Sequence, residues 1–182
     1  MHSLPARKRI RLAPSAYRQG DVFSVTISTF ERYPWFGGHP ELAGKAVMLL
    51  TDLVEDRGTE LYAWCIMPDH VHLLVCDIDL VQLVRLFKGR LTPSAHALNP
   101  DRPLWQRSFY DHGLRREESL VCVAEYIWEN PVRAKIVDDA ADYPWSGSTV
   151  WKDWKGILSQ ERVGASFMPA RAGMNPQSVG RG

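Results

Sequence analysis

At 182 residues the chain has room for one domain with a proper core, or one domain with tails. Its composition, 45% hydrophobic and 24% charged, is that of an ordinary globule, and no apolar run approaches the roughly 18 residues of a membrane span. The net charge of +1 gives by itself little support to a nucleic-acid partner.

Charge is unevenly spread. Residues 1–20 carry five basic side chains (Arg7, Lys8, Arg9, Arg11, Arg18) and no acid, residues 21–79 are acidic, and residues 80–137 are again basic. A basic arm and a basic second half suit phosphate binding, and equally suit a solvated tail with ordinary surface charge. The N-terminus has no apolar segment behind its charges, so it does not read as a secretory signal, and a cytoplasmic protein is expected. Cys65, Cys76 and Cys122 are scattered, which argues against a disulfide framework or a structural zinc site.

In chain order, DVFSVTISTF (21–30) alternates as a half-buried strand, and YPWFGGHP (33–40) reads as loop from its Gly and Pro content. The run 41–58 places Leu42, Ala46, Leu49, Leu50, Leu53 and Val54 on one helical face and stops at Gly58. Two strand-like runs, 59–67 and 70–77, flank a Pro68-Asp69 turn. A second amphipathic helix covers 78–98, with Asp79 as cap and Pro93 as its end or kink. Loop 99–103 leads to a fourth strand over 104–114, then to a helix from Glu117 through Ile127 that meets Pro131. The order predicts an α+β, ferredoxin-like β-α-β-β-α-β antiparallel sheet with an added C-terminal helix. The expected organisation is a basic arm (1–20), one domain (21–150) and a C-terminal tail (151–182).

Within MPDHVHLLV (67–75), His70 and His72 stand at i and i+2, so on a strand both rings share a face. Such a pair is half of a metal site or a polar seam over a core. On the last helix Tyr126 and Asn130 are i and i+4 and also share a face. An amide oxygen is a plausible ligand for a hard cation, and with both histidines it would make a three-ligand site open to a phosphate. A tyrosine one turn away would then point at that phosphate. Each residue has a plainer reading: Tyr126 as a core aromatic, Asn130 as a helix-end residue, Asp69 as a turn residue, His112 as a strand-end residue.

Three blocks, YAWCIMPDHVHLLV (62–75), LWQRSFYDHGLR (104–115) and AEYIWENPVRAKIV (124–137), resemble in their order the single-tyrosine HUH transposases, most closely the REP-associated tyrosine transposase branch. The resemblance implies a ferredoxin-like domain that cuts and rejoins single-stranded DNA beside imperfect hairpins during DNA transposition, using Mg²⁺ or Mn²⁺. It implies His70 and His72 as metal ligands and catalytic residues, and Tyr126 as the nucleophile that forms a 5′-phosphotyrosine link. Asn130 falls where the family places its third ligand, a Gln in the best-known relatives of the wider group. Candidates for backbone contacts are Arg107, Arg115, Arg116, Arg133 and Lys135, with Arg7, Lys8 and Arg9 of the arm for a hairpin groove. Trp64, Trp105 and Trp128 are either core residues or platforms for unpaired bases. The expected partner is single-stranded or hairpin DNA, with no membrane, acting as monomer or homodimer. Two competing classes are a hairpin-DNA-binding protein that no longer cuts and a ferredoxin-like RNA-binding module. The second has no use for HxH facing Tyr-x3-Asn.

Overall fold

In a computed structural model, residues 21–115 and 119–165 are described, the last six by their backbone alone. The elements are β1 (Val22–Ser28), α1 (Trp35–Gly38), α2 (Pro40–Arg57), β2 (Glu60–Met67), β3 (His70–Cys76), α3 (Leu80–Leu98), β4 (Tyr110–Gly113), α4 (Leu120–Trp128), α5 (Asn130–Arg133), β5 (Ser146–Gly147) and α6 (Trp154–Ala165). The strands form one antiparallel sheet in the order β4-β1-β3-β2-β5. The first four reproduce the ferredoxin-like arrangement, and β5 extends it by one short edge strand.

Local signals explain the helix limits. Pro40 opens α2, and Gly58, left-handed at φ 62°, closes it. The Asp79 carboxylate accepts from the Gln82 N–H at 3.0 Å and caps α3. Pro93 neither ends nor interrupts α3, which runs on to Leu98. Ser119 caps α4, and Asn130-Pro131 begins one further turn, α5, so Pro131 marks a change of direction rather than a stop.

The sheet is covered on both faces. Val71, Leu73 and Val75 of β3 join Phe23, Val25 and Ile27 of β1 under α2 and α3. On the other face, Leu74 and Cys65 pack against Ala124, Ile127 and Trp128 of α4, with Trp154 and Leu158 of α6. In β2 the register shifts between Leu61 and Ala63, a bulge that leaves Tyr62 and Ala63 both on the α4 side.

Three segments differ from expectation. The stretch 33–40, read as loop, holds α1 and the start of α2, and Trp35 and Phe36 are buried. Its purpose is local: the Phe36 N–H donates to the Pro68 carbonyl at 2.9 Å, so α1 braces the β2–β3 turn. The fourth strand is shorter than 104–114. Only Tyr110–Gly113 forms a ladder, and Trp105 makes one bridge to Thr29 because β1 ends there. Part of the stretch read as a tail is α6, whose Trp154 stacks near Trp128 with ring centres 5.2 Å apart. No helix among the described residues is long and apolar enough to cross a membrane.

Candidate active site

Strand β3 sets both histidines. Its register pairs His70 with Ser28 and Met67, and His72 with Thr26 and Cys65, so both rings stand on the face that α4 covers. The two rings meet edge to face, with Nε2 atoms 2.9 Å apart. Each ring is held from behind: His70 Nδ1 lies 2.6 Å from Asp69 Oδ1, and His72 Nδ1 lies 3.1 Å from Thr26 Oγ1.

Those outer partners decide what the pair can do. A carboxylate on Nδ1 fixes the proton there, which leaves His70 Nε2 as a bare lone pair. Without a cation, His72 must turn its own Nε2–H toward it. To offer Nε2 to a cation, His72 would carry its proton on Nδ1 and donate it to the Thr26 hydroxyl. Burial lowers both imidazole pKa values. His72 falls to about 3, pushed the same way by His70, Arg32 and Arg133, and for His70 burial outweighs the opposing Asp69 carboxylate. Both rings are therefore neutral at ordinary pH, the form a metal needs. The donor set fits a divalent cation.

Asp69 is held in turn. Its Oδ2 accepts from Arg32 Nε at 2.8 Å, and Arg32 also reaches Ser28 Oγ at 3.3 Å. The buried Thr29 donates its N–H to the Asp69 carbonyl at 3.0 Å. Glu31 and Arg32 are consecutive non-glycine residues in the left-handed region, φ 54° and 57°. Strain of this kind persists only where neighbours over-determine the backbone. Arg32, Thr26 and the role of Asp69 are absent from the sequence reading. Only the adjacency of Asp69 to His70 is a signal there, and a turn explains it equally well.

Tyr126 is 60% exposed on the outer side of α4. Asn130 Nδ2 donates to the carbonyls of Tyr126 and Ile127, each at 3.1 Å, bonds that do not use its Oδ1. The Arg133 guanidinium covers the Tyr126 ring, and its charge also bears on His72. Two other tyrosines are committed elsewhere. Tyr143 donates to the Ile66 carbonyl at 2.7 Å, and burial pushes the Tyr62 phenol up to about 12 beside Glu60. Among the described residues no group of three or more His, Cys, Asp and Glu side chains could hold a metal ion.

Arg107, Arg115, Arg133 and Lys135 are exposed, while Arg116 and the arm residues Arg7, Lys8 and Arg9 lie outside the described residues. Trp64 and Trp128 are buried and so are core residues rather than base platforms; Trp128 donates to the Gly147 carbonyl at 2.9 Å. Trp105 packs between Phe36 and Phe87.

Comparison with known proteins bears on the family and the fold. The chain is 32% identical over 101 residues to a Haemophilus influenzae protein provisionally named a REP-associated tyrosine transposase, covering 48% of this chain and 57% of that one. It is 30% identical over 95 residues to the REP-associated tyrosine transposase of Escherichia coli K12, covering 50% of this chain and 55% of that one. The chain thus spans little more than half the length of the curated relatives it matches. A solved structure of a REP-associated tyrosine transposase bound to a REP hairpin shares the fold, with a TM-score of 0.59, 21% identity, and coverage of 90% of this chain and 91% of that one. Residues 23–130, more than half of the chain, match the family described as Transposase IS200 like, and the chain belongs to that family.

Proposed function

We propose that the chain is a metal-dependent, single-tyrosine DNA endonuclease and strand transferase that acts on single-stranded DNA beside hairpins, in DNA transposition. The observation that carries this reading is the convergence of His70 and His72 Nε2 at 2.9 Å on the face covered by the tyrosine helix. His70 Nε2, His72 Nε2 and Asn130 Oδ1 would hold Mg²⁺ or Mn²⁺. When bound, the cation supplies Lewis-acid polarisation of the scissile phosphate.

The chain's own residues do the rest. The Tyr126 oxygen attacks phosphorus in line, the bond from phosphorus to the 3′ oxygen breaks, and the phenolic proton is balanced by the proton the 3′ oxygen gains. The products are a free 3′-OH and a 5′-phosphotyrosine. Because the new ester keeps the bond energy, a 3′-OH from another end reverses the step and reseals DNA without ATP. Arg133 beside Tyr126, together with the exposed Arg107, Arg115 and Lys135, would contact backbone phosphates.

The test mixes the protein with labelled hairpin oligonucleotides taken from repeats flanking its own gene, with Mg²⁺, with Mn²⁺ and with EDTA. A metal-dependent band that survives SDS is expected. Tight binding with no such band on any substrate would replace this reading by that of a binding-only protein.

A further inference from the structure

A cleft of about 340 Å³ opens between the 3-10 turn Phe30–Arg32 and the loop that follows α3, lined by Phe30, Glu31, Asn99, Asp101, Arg102 and Pro103. We infer that this cleft takes one unpaired nucleobase of the DNA and discriminates by base, favouring bases that carry an amino group over thymine. The inference rests on the single-stranded DNA reading above and adds to it a specificity site.

The cleft is built before any ligand arrives. Its two walls are joined by the Phe30 N–H to Leu104 carbonyl bond at 2.9 Å and by the Thr29–Trp105 bridge. The buried Trp35 ties the loop floor down by donating from Nε1 to the Pro103 carbonyl at 3.2 Å. A preformed concavity with a few convergent polar groups is the usual shape of a small-ligand site.

Its place relative to the histidines follows from the chain. Ser28, the last residue of β1, pairs with His70, and the turn Phe30–Arg32 follows directly after Thr29. Glu31 faces the cleft, and its neighbour Arg32 clamps Asp69 behind His70. The left-handed pair Glu31 and Arg32 thus sends one side chain to the cleft and the next to the metal-ligand pair. A base in the cleft would fix the register of its strand against the scissile phosphate.

The lining gives the chemistry. Phe30 is 36% exposed, an aromatic face outside the core on which a base can stack. Glu31 and Asp101 are acceptors, and acceptors select bases with exocyclic amines: cytosine N4, adenine N6, or the N1–H and N2 amine of guanine together. Thymine offers only its N3–H. Arg102, paired to Glu31 at 3.7 Å and lying 4.3 Å over the Tyr33 ring, supplies donors at the rim.

The measurement is fluorescence anisotropy, which needs no cleavage, on hairpin oligonucleotides whose unpaired positions next to the stem are each varied through dA, dC, dG and dT. At one position the protein should bind dT about 10-fold more weakly than the best base. Glu31→Gln should remove that penalty at that position alone, since a carboxamide can donate to thymine O4 while accepting from N3–H. Glu31 is 68% exposed, so the substitution spares the fold. A penalty that survives in both Glu31→Gln and Asp101→Asn, or no penalty at any position, overturns the cleft proposal while leaving hairpin binding and the covalent band intact. No binding to any hairpin overturns the DNA reading itself.

Discussion

The guanidinium carbon of Arg133 lies 3.8 Å above the centre of the Tyr126 ring, and the same guanidinium donates to the Tyr126 carbonyl. Tyr126 is therefore gripped by its ring face and its backbone while the residue stays 60% exposed. Tyr126→Phe keeps the grip and removes only the oxygen. It should lose the SDS-stable DNA band completely, bind hairpins as before, and shift stability by no more than about 0.5 kcal/mol. An undiminished band would end the assignment of Tyr126 as nucleophile.

Asp69 orients His70 through Nδ1 and is itself held by Arg32. Asp69→Ala should weaken Mn²⁺ binding by about 10- to 100-fold, read by electron paramagnetic resonance titration without DNA. Arg32→Ala, which only loosens the carboxylate, should have the smaller effect. Equal affinity in Asp69→Ala and the parent protein would show that His70 needs no outer support.

Both histidines titrate lower in the fold than in the free chain, His72 at about 3. Below about pH 6.5 the unfolded chain takes up protons that the folded chain refuses, so stability falls as the pH drops from there toward 3. Thermal unfolding in EDTA should show a midpoint nearly flat from pH 8 to 7 that declines below 6.5. His72→Gln should decline less steeply. Identical slopes would mean that His72 is not held neutral by its burial.

Asp77, with a side chain only 1% exposed, accepts from Arg57 at 2.6 and 3.0 Å, from the Asp79 N–H at 2.6 Å and from the Thr59 hydroxyl. Burial alone would raise its pKa, but Arg57, Thr59 and the Asp79 N–H together hold it below the usual carboxylate range. Asp77→Ala strands these donors at the junction of α2, β3 and α3. It should cost about 3 kcal/mol in urea unfolding, with Arg57→Ala close behind. A loss below about 1 kcal/mol would class the pair with ordinary surface ion pairs.

Much of this architecture is legible in period alone. The alternation of DVFSVTIS gives β1, the 3.6-residue stripe of 41–58 gives α2, and Asp79 marks the start of α3 because a short carboxylate can cap a free N–H. The shared face of His70 and His72 also follows from strand geometry. What stays hidden depends on partners far away in sequence. Trp35 and Phe36 form a helical turn inside a Gly- and Pro-rich stretch because the Pro68 carbonyl accepts from the Phe36 and Gly37 N–H groups and the core buries both rings. Thr26 reaches His72 only through the β1–β3 register, 46 residues away in sequence. The Trp154 start of α6 is invisible locally, since its stability comes from stacking near Trp128.

Strand β3 lies between β1 and β2, with Val71, Leu73 and Val75 filling one core and Leu74 the other. The two histidines alternate with those anchors, so a slip of one residue would bury the imidazoles under α2 and α3 and turn valine and leucine toward the tyrosine helix. A one-residue insertion or deletion in this strand would therefore displace the histidine pair and empty both cores at once, so the placement of the two rings and the integrity of the sheet stand or fall together.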